Sequence, residues 1–438
     1  MKTDWINSKP VFYNTKTLKT SDNMLSVWDG GFDNEGLYDF LTFGYQVFEQ
    51  TALKDVKKLR HSSEIKDGKI IEYPDPIEKY IGKVSSVDES LSTLETHILR
   101  FELSHKSKMA ILLSGGYDSR FLAHFIKHKW YLDAYTCDVS IGNKYSAEMI
   151  RAKEVCKRLG IRHYALDVKN YYSGSKEVFD NFGLEVNAGA AIALEMPRLL
   201  NHNGIILHGS VGDWWRTQKV KINPPKDYLD FSSLFFTHGV SIPKEFIKVK
   251  TNHENKQQEY ETNIKRLRED ELFRIVYSRR GRIGVASMGM RGIEKYSKAY
   301  TPFYDIDVAM SQLNLPTKDR WGSWAKDYFK KVGLDVDDIR YSHDWNQDLR
   351  VAYNSLDSSL DVKKLSSIVD KNRLEWINAQ LSRIKKLPVP MIGKTSNALH
   401  HIGAGRYFDY GYKILINNKD IIKALGEWNI LKVVEYAI

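Results

Sequence analysis

Short apolar segments alternate with helical patterns over residues 109–209 of this 438-residue chain. Four of these segments are predicted to be strands: MAILL (109–113), YLDAYTCDV (131–139), RHYALDV (162–168) and GIILHG (204–209). Helices are predicted between them at 119–129, 147–160 and 188–201. Because short buried strands that alternate with helices form parallel sheets covered on both faces, the sequence predicts an α/β fold with a doubly wound parallel sheet.

The regions on either side of this alternation differ in character. Residues 1–85 are irregular and aromatic, with glycine-rich turn signals, and short strands fit this segment best. A helix is predicted at 88–104, and the chain after residue 226 is expected to be mainly helical. We therefore divide the chain into a small β-rich segment (1–85), an α/β domain (86–345) and a helical C-terminal extension (346–438).

Composition excludes several classes of protein. With 42% hydrophobic and 27% charged residues, the chain fits a globular protein in solution, and it has no secretory signal and no apolar run long enough to cross a membrane. Cys137 and Cys156, its two cysteines, are too few for a disulfide framework or a structural zinc site. We expect a cytoplasmic protein without membrane insertion.

The net charge of +10 comes from 65 Lys and Arg against 55 Asp and Glu. The basic residues are scattered and form no long tail, so two interpretations stay open. The charge belongs either to a solvated surface or to a binding site for an anionic ligand.

The segment ILLSGGYDSR (111–120) combines an apolar strand with a glycine turn, an acid and two serines. Gly115 and Gly116 let the backbone approach a ligand closely, and their N–H groups at the start of a helix form a cradle for phosphate. Asp118 would repel phosphate unless Mg²⁺ lies between them. The segment therefore predicts a nucleotide triphosphate site with magnesium. The alternative is an ordinary turn in which Asp118 or Ser119 caps the helix.

ILLSGGYDSR resembles the pyrophosphatase loop of N-type ATP pyrophosphatases, the PP-loop enzymes, which cleave ATP between its α and β phosphates. IILHGSVGDWW (205–215) is similar to a second metal-binding segment of asparagine synthetases, with Asp213 at the metal position. AYTPFYDIDVAMSQLNLP (299–316) is similar to a later segment of that family, with Pro302, Phe303 and Asp305 matching. The resemblance extends over about residues 35–345.

The resemblance implies a site for ATP and Mg²⁺. Asp118 and Asp213 would bind the metal, and Asp118, Asp213 and Arg340 would be catalytic. Nucleotide-binding positions would be Leu113, Ser114, Gly115, Gly116, Asp118, Ser119, Gly209, Ser210 and Gly212.

The sequence also departs from the asparagine synthetase pattern. Ser210 and Trp214 stand where the family has glutamates, and Trp215 could add to an apolar wall or pack in the core. The family's late lysine has no clear counterpart; Arg340, His343 and Lys394 are candidates, and Glu148 falls in a family acidic stretch. Residues 1–85 resemble a truncated remnant of the family's glutaminase-like N-terminal domain, and residues 37–72 resemble the tail of that domain. Its nucleophile, an N-terminal cysteine, is missing, since residues 1–3 are Met, Lys and Thr. Nitrogen would then come from ammonia, an amine or a partner glutaminase.

The predicted function is an ATP-dependent ligase that adenylates a carboxylate and transfers the acyl group to nitrogen. The family resemblance implies a small-molecule, sugar-acid or peptide carboxylate, as in asparagine and β-lactam synthetases, lasso peptide cyclases and surface polysaccharide amidases. Two alternatives stay open: a tRNA-modifying ATP pyrophosphatase, and a non-catalytic nucleotide-binding partner subunit. Nucleic acid is not expected as a partner, because the chain has no compact basic domain.

Overall fold

The N-terminal region consists of short strands and one helix. The computed structural model describes residues 1–105, 107–138, 147–168, 172–212, 241–251, 272, 276, 281–282, 285–320, 324–337, 355–356, 358–386 and 419–438. Its first elements are β1 (Phe12–Asn14), β2 (Thr20–Ser21), α1 (Asn34–Phe43), β3 (Val56–Lys58), β4 (Ser63–Lys66) and β5 (Lys69–Glu72). They form an antiparallel sheet in the order β2-β1-β3 and a β4-β5 hairpin.

Helix α1 occurs in addition to the short strands predicted for residues 1–85. The Asp33 side chain accepts a hydrogen bond from Gly36 N–H and caps the first turn, and the helix ends at Gly44, whose φ of 75° is left-handed. Its buried face includes Leu37, Phe40 and Leu41. The short strands predicted for residues 1–85 are therefore present, and residues 34–43 form a helix that was not predicted.

The central region alternates strands and helices as predicted. Its elements are α2 (Val87–Ser104), β6 (Met109–Leu112), α3 (Tyr117–Phe125), β7 (Leu132–Asp138), α4 (Ala147–Leu159), β8 (Arg162–Asp167), α5 (Ser175–Phe182), α6 (Ala191–Leu200), β9 (Ile205–His208), α7 (Val285–Glu294) and β10 (Lys298–Tyr300). The strands form one parallel sheet in the order β10-β9-β6-β7-β8. The predicted parallel sheet is confirmed.

Both faces of this sheet are covered. Met109 and Ile111 of β6 pack in one cluster with residues of α2, α3 and α4, whereas Ala110 and Leu112 lie on the opposite face with residues of α6 and α7. The sheet grows from β6 toward β7 on one side and toward β9 on the other. The order therefore reverses between β6 and β9, and in doubly wound sheets ligands bind beside the strand ends at such a point.

The later elements are helical and pack back onto the rest of the molecule. They are α8 (Ile306–Leu313), α9 (Thr317–Arg320), α10 (Trp324–Lys331), α11 (Val362–Leu365), α12 (Lys371–Ser382) and α13 (Lys419–Ala437). Trp428 of α13 shares a core cluster with Phe40 of α1. Ile77 and Ile111 share another. The core thus continues across residue 85, and the predicted domain boundaries stay predictions. None of the helices in the described ranges is long and apolar enough to span a membrane.

Candidate functional site

The loop after β6 leads directly into helix α3. Gly116 is the N-cap residue, and no side chain caps the helix there. The alternative role of Asp118 or Ser119 as a conventional cap is therefore wrong. The N–H groups of the first turn have no such competing side chain at the N-cap, and they add to the positive end of the helix dipole. This is the arrangement that an anion-binding loop requires.

Ser119 fixes the shape of this loop. Its side chain is buried, and its hydroxyl lies 3.1 Å from both Ser114 Oγ and the Ser114 carbonyl oxygen. Ser114 Oγ in turn accepts a hydrogen bond of 3.2 Å from Gly116 N–H. The two predicted serines thus hold the loop in a closed turn. Their contact with phosphate stays a prediction.

The loop after β9 is pressed against Asp118. A Cβ atom built on Gly212 would lie 2.7 Å from Asp118 Oδ1, and one built on Gly209 would lie 2.9 Å from Asp118 Cβ. Cβ atoms do not approach other atoms so closely, so a side chain at either position would force Asp118 or its surroundings to shift. Between them Val211 has a φ of 63°, a strained value for a β-branched residue. The structure therefore brings the two predicted loops together on the Asp118 carboxylate.

A cavity of about 330 Å³ lies at the carboxyl ends of the strands beside these loops. Its lining includes the predicted residues Leu113, Ser114, Asp118, Ser119, Gly209 and Ser210, and also Glu148. Leu112, Ile192 and Met196 supply an apolar side, and Thr136, Cys137 and His208 complete the wall. Sequence analysis did not select His208, although its place at the end of an apolar strand is a usable signal. The cavity has a polar part made by the loops and an apolar part made by β6 and α6.

Arg120 and Asp337 stabilise the loop between β6 and α3 through hydrogen bonds. The Arg120 guanidinium donates to the Gly115 carbonyl oxygen at 2.7 Å and to Asp337 Oδ1 at 3.2 Å, and its side chain is only 1% exposed. Tyr117 O–H also donates to Asp337. Although burial acts to raise the pKa of Asp337, the hydrogen bonds from Tyr117 and Arg120 outweigh it and lower that pKa. Asp337 is therefore held as a carboxylate. Sequence analysis missed this pair because 217 positions separate its members.

The acid and base groups at the cavity have shifted pKa values. Glu148 is exposed at the cavity mouth, but the protein atoms around it partly desolvate its carboxyl and raise its pKa, and the charge of Arg151 opposes this rise. Burial lowers the pKa of His208 to about 4, so its imidazole is neutral near pH 7. Arg151 also packs over the loop, since a Cβ atom on Gly115 would lie 2.7 Å from Arg151 Cβ.

Several predicted residues cannot be placed. Asp213, Trp214, Trp215, Arg340, His343 and Lys394 lie outside the described residues. Asp305 is described, and its carboxylate caps α8 and lies 3.2 Å from His97 Nε2. A structural role in helix capping thus accounts for Asp305. The predicted sharing of a metal between Asp118 and Asp213 stays a prediction.

The residues present fit ATP and Mg²⁺. Magnesium in nucleotide sites is held by one or two carboxylates together with substrate phosphates, and Asp118 supplies one such carboxylate beside the glycine turn. Gly209 and Gly212 leave the space around that carboxylate that larger residues would fill.

Comparison with known proteins agrees with this geometry. Residues 108–189 match the family described as queuosine biosynthesis protein QueC. The chain is also similar to 7-cyano-7-deazaguanine synthase 2 of Colwellia psychrerythraea, with 29% identity over 108 residues, which is 24% of this chain and 49% of the relative. The chain thus spans about half the length of the curated relative that it matches. Residues 108–189 contain β6, the glycine loop, α3, β7, α4 and β8, the elements that build the first half of the site.

The fold, the loop and this match point to one class of protein. The α/β region is consistent with a PP-loop domain, it is similar to the QueC family over residues 108–189, and PP-loop ATP pyrophosphatases such as QueC use ATP and Mg²⁺. The predicted PP-loop fold and the predicted cofactors are confirmed at this level. The match does not support the narrower assignment to the asparagine synthetase-like family.

Proposed function

We propose that this protein cleaves ATP between its α and β phosphates and uses the AMP group to activate an oxygen atom of a second substrate. The observation that carries the proposal is the contact of Gly209 and Gly212 with Asp118, which holds a carboxylate beside the phosphate loop at the point where the strand order reverses. The loop N–H groups and the first turn of α3 bind the phosphates, and Asp118 holds the metal. When bound, Mg²⁺ neutralises charge on the pyrophosphate leaving group.

The second substrate that we favour is a purine-like base that carries a carboxyl or amide group. The support is the similarity to a queuosine biosynthesis family and to a synthase named for 7-cyano-7-deazaguanine. Leu112, Ile192 and Met196 give the cavity an apolar side against which a flat ring can pack. In this proposal the protein makes a precursor for tRNA modification and does not itself need to bind tRNA.

A second candidate is the amide ligase of the asparagine synthetase type. One observation favours it: Phe303, in the segment that resembles that family, packs beside the second loop, since a Cβ atom on Gly212 would lie 2.9 Å from Phe303 Cζ. In this case a carboxylate is adenylated and then attacked by ammonia or an amine. A non-catalytic nucleotide-binding subunit is the third outcome that an assay must distinguish.

The test is formation of AMP and pyrophosphate from ATP with two groups of acceptors. One group contains 7-deazaguanine with a carboxyl or a carboxamide group at C7, and the other contains aspartate and sugar acids, each with ammonium. Turnover with the first group supports the favoured substrate class, and turnover with the second supports the amide ligase. Binding of ATP without pyrophosphate release in any mixture would indicate the non-catalytic subunit.

The Asp118→Asn variant tests the proposed role of Asp118 in binding the metal. Loss of the metal-binding charge should lower pyrophosphate release by about 100-fold or more, which is the scale for removal of one electrostatic contact to a transition state. Asp88→Asn is the control, because Asp88 is an exposed acid in the first turn of α2 as Asp118 is in the first turn of α3. Normal turnover by a folded Asp118→Asn variant contradicts the assigned role.

A further inference from the structure

His208 ends strand β9 with a buried and incompletely bonded imidazole. The residue is 3% exposed, and its buried Nδ1 atom has no hydrogen-bond partner among the residues that the structure describes. It pairs with Leu112 across the sheet and follows Ile206 by two residues, so its ring lies on the same face as Ile206, the face that α6 and α7 cover. A buried polar atom without a partner costs free energy, which a ligand can recover.

The contact at the other ring nitrogen selects the tautomer. His208 Nε2 lies 3.2 Å from Met290 Sδ, and a thioether sulfur accepts hydrogen bonds but cannot donate them. The proton of the neutral ring therefore belongs on Nε2, and Nδ1 carries a lone pair. His208 thus offers a hydrogen-bond acceptor without charge, which does not repel the phosphates of ATP.

His208 lies in the part of the cavity that the proposed function assigns to the second substrate, and not in the part assigned to the phosphates. It lines the same cavity as Leu112, Ile192 and Met196, the apolar part of the wall. Ser114 and Asp118 belong to the loop that the proposed function assigns to the phosphates. The contact of Nε2 with sulfur is weak, so the ring can turn toward a better partner at small cost.

We propose that His208 Nδ1 accepts a hydrogen bond from an N–H group of the second substrate and so selects a nitrogen-bearing heterocycle over a ligand without such a donor. The inference rests on the proposed function for its location in the cavity. It adds a specificity residue that neither the glycine loop nor the metal site provides. A site that hydrogen-bonds one substrate group rejects analogues that lack this group, because its own buried atom is then left without a partner.

The binding test uses 7-cyano-7-deazaguanine as the probe, whose ring carries N–H donors, in the presence of Mg²⁺ and a non-hydrolysable ATP analogue. His208→Leu should weaken calorimetric binding of the probe by ~10-fold, the scale of one buried hydrogen bond. His208→Asn should restore most of the affinity, because its Oδ1 takes the place of Nδ1. His202→Asn is the control, since His202 lies before β9 and contacts the Lys108 carbonyl oxygen outside the cavity. Affinity for the ATP analogue should be the same in all four proteins.

A second measurement does not depend on any ligand. Nitrogen-15 NMR of the full chain, with the His208 signals assigned by difference from His208→Asn, should show the neutral Nε2–H form between pH 6 and 8. The probe should shift the Nδ1 signal. A protonated Nδ1, a wild-type protein that does not bind the probe, or a Leu variant that binds it as tightly as wild type overturns the inference. Failure of the proposed function is seen separately, as absence of pyrophosphate release by the wild-type protein.

Discussion

At the scale of single residues, the site depends on two glycines that have no side chain to collide with Asp118. Asp118 sits beside Gly209 and Gly212, and either position would force a clash if it carried a side chain. Close approach of the backbone to a functional group is a use of glycine that does not require a left-handed φ. The second loop thus acts on the first through shape, in addition to any ligand that Asp213 provides.

Gly212→Ala tests this contact directly. The added Cβ would lie 2.7 Å from Asp118 Oδ1, so the carboxylate or the loop must move. Pyrophosphate release should fall by about 10-fold or more, since a displacement of about 1 Å in a reacting geometry can cost up to 100-fold. The measurement is the steady-state rate at several Mg²⁺ concentrations.

Gly174→Ala is the matched control for this substitution. A Cβ atom on Gly174 would lie 3.5 Å from Ala191 Cβ, which is ordinary van der Waals contact. Its rate should therefore equal that of the wild type. Equal rates for both alanine variants would show that the close approach of Gly212 has no part in activity.

The residues that can be predicted from sequence are those whose role is local. One turn after an apolar strand contains Ser114, Gly115, Gly116 and Asp118, so their role can be predicted from the ten residues 111–120. The approach of Gly209 follows from the pairing of two parallel strands, which place their carboxyl ends together. The contact of Arg120 with Asp337 could not be predicted in either way, because the two residues share neither a turn nor a pair of strands and are brought together only by tertiary folding.

At the scale of elements, prediction succeeds where burial is uniform. β6 and β9 are apolar and almost fully buried, and their predicted bounds agree with the structure to within about one residue. β10 is a three-residue strand with exposed and partly buried positions, and it is defined by pairing with β9. Helix α1 was missed because its aromatic and β-branched residues favour strands, although Asp33 is a visible cap.

The contact between α3 and the segment after α10 should matter for both stability and binding. Asp337→Ala leaves the buried Arg120 guanidinium without its carboxylate, which should cost about 2–4 kcal/mol of unfolding free energy, near the lower end because Asp337 is 20% exposed. ATP affinity should also fall, because Arg120 orients the Gly115 carbonyl. Urea denaturation and the shift of Tm with ATP measure the two effects.

A surface pair provides the comparison for Asp337→Ala. Glu154→Ala breaks an exposed pair with Arg158 at 2.8 Å within α4 and should change stability by no more than about 0.5 kcal/mol. ATP affinity should not change. Similar losses from both substitutions would mean that Asp337 contributes no more than an ordinary surface charge.

At the scale of the whole molecule, a buried ionic cluster joins the N-terminal segment to the chain between β9 and α7. Arg282 Nη1 and Nη2 donate to the Asp75 carboxylate at 2.5 and 2.7 Å, and Arg282 Nε donates to the Trp5 carbonyl oxygen. Arg282 Nη1 also lies 2.8 Å from His61 Nε2. His61 Nε2 also lies 3.1 Å from Asp75 Oδ2, a contact that favours the protonated ring. A guanidinium can only donate, however, so the contact with Arg282 requires Nε2 to be the acceptor of a neutral ring. The association of residues 1–85 with the rest therefore depends on a neutral histidine.

This cluster predicts how stability depends on pH. Burial, followed by the charge of Arg282, lowers the pKa of His61 from 6.5 to about 3. Between these values the unfolded chain binds a proton that the folded chain does not, so the stability contributed by His61 is lost as pH falls through this window. His61→Gln keeps an acceptor and removes the titration. The slope of unfolding free energy against pH near pH 5 should be smaller in the variant by up to about 1.4 kcal/mol per pH unit. Urea denaturation at pH 4.5–6 measures this difference.

His97 provides the control, because its pKa is shifted in the opposite direction to that of His61. Its hydrogen bond with Asp305 raises its pKa, so the folded chain keeps a proton that the unfolded chain releases. The stability from this pair is present below pH 6.5 and is lost as pH rises through the folded pKa. His97→Gln should therefore alter the pH dependence above 6.5 and leave the slope near pH 5 as in the wild type. If His61→Gln and the wild type have the same slope near pH 5, His61 is protonated in the fold and the assigned hydrogen bond from Arg282 is wrong.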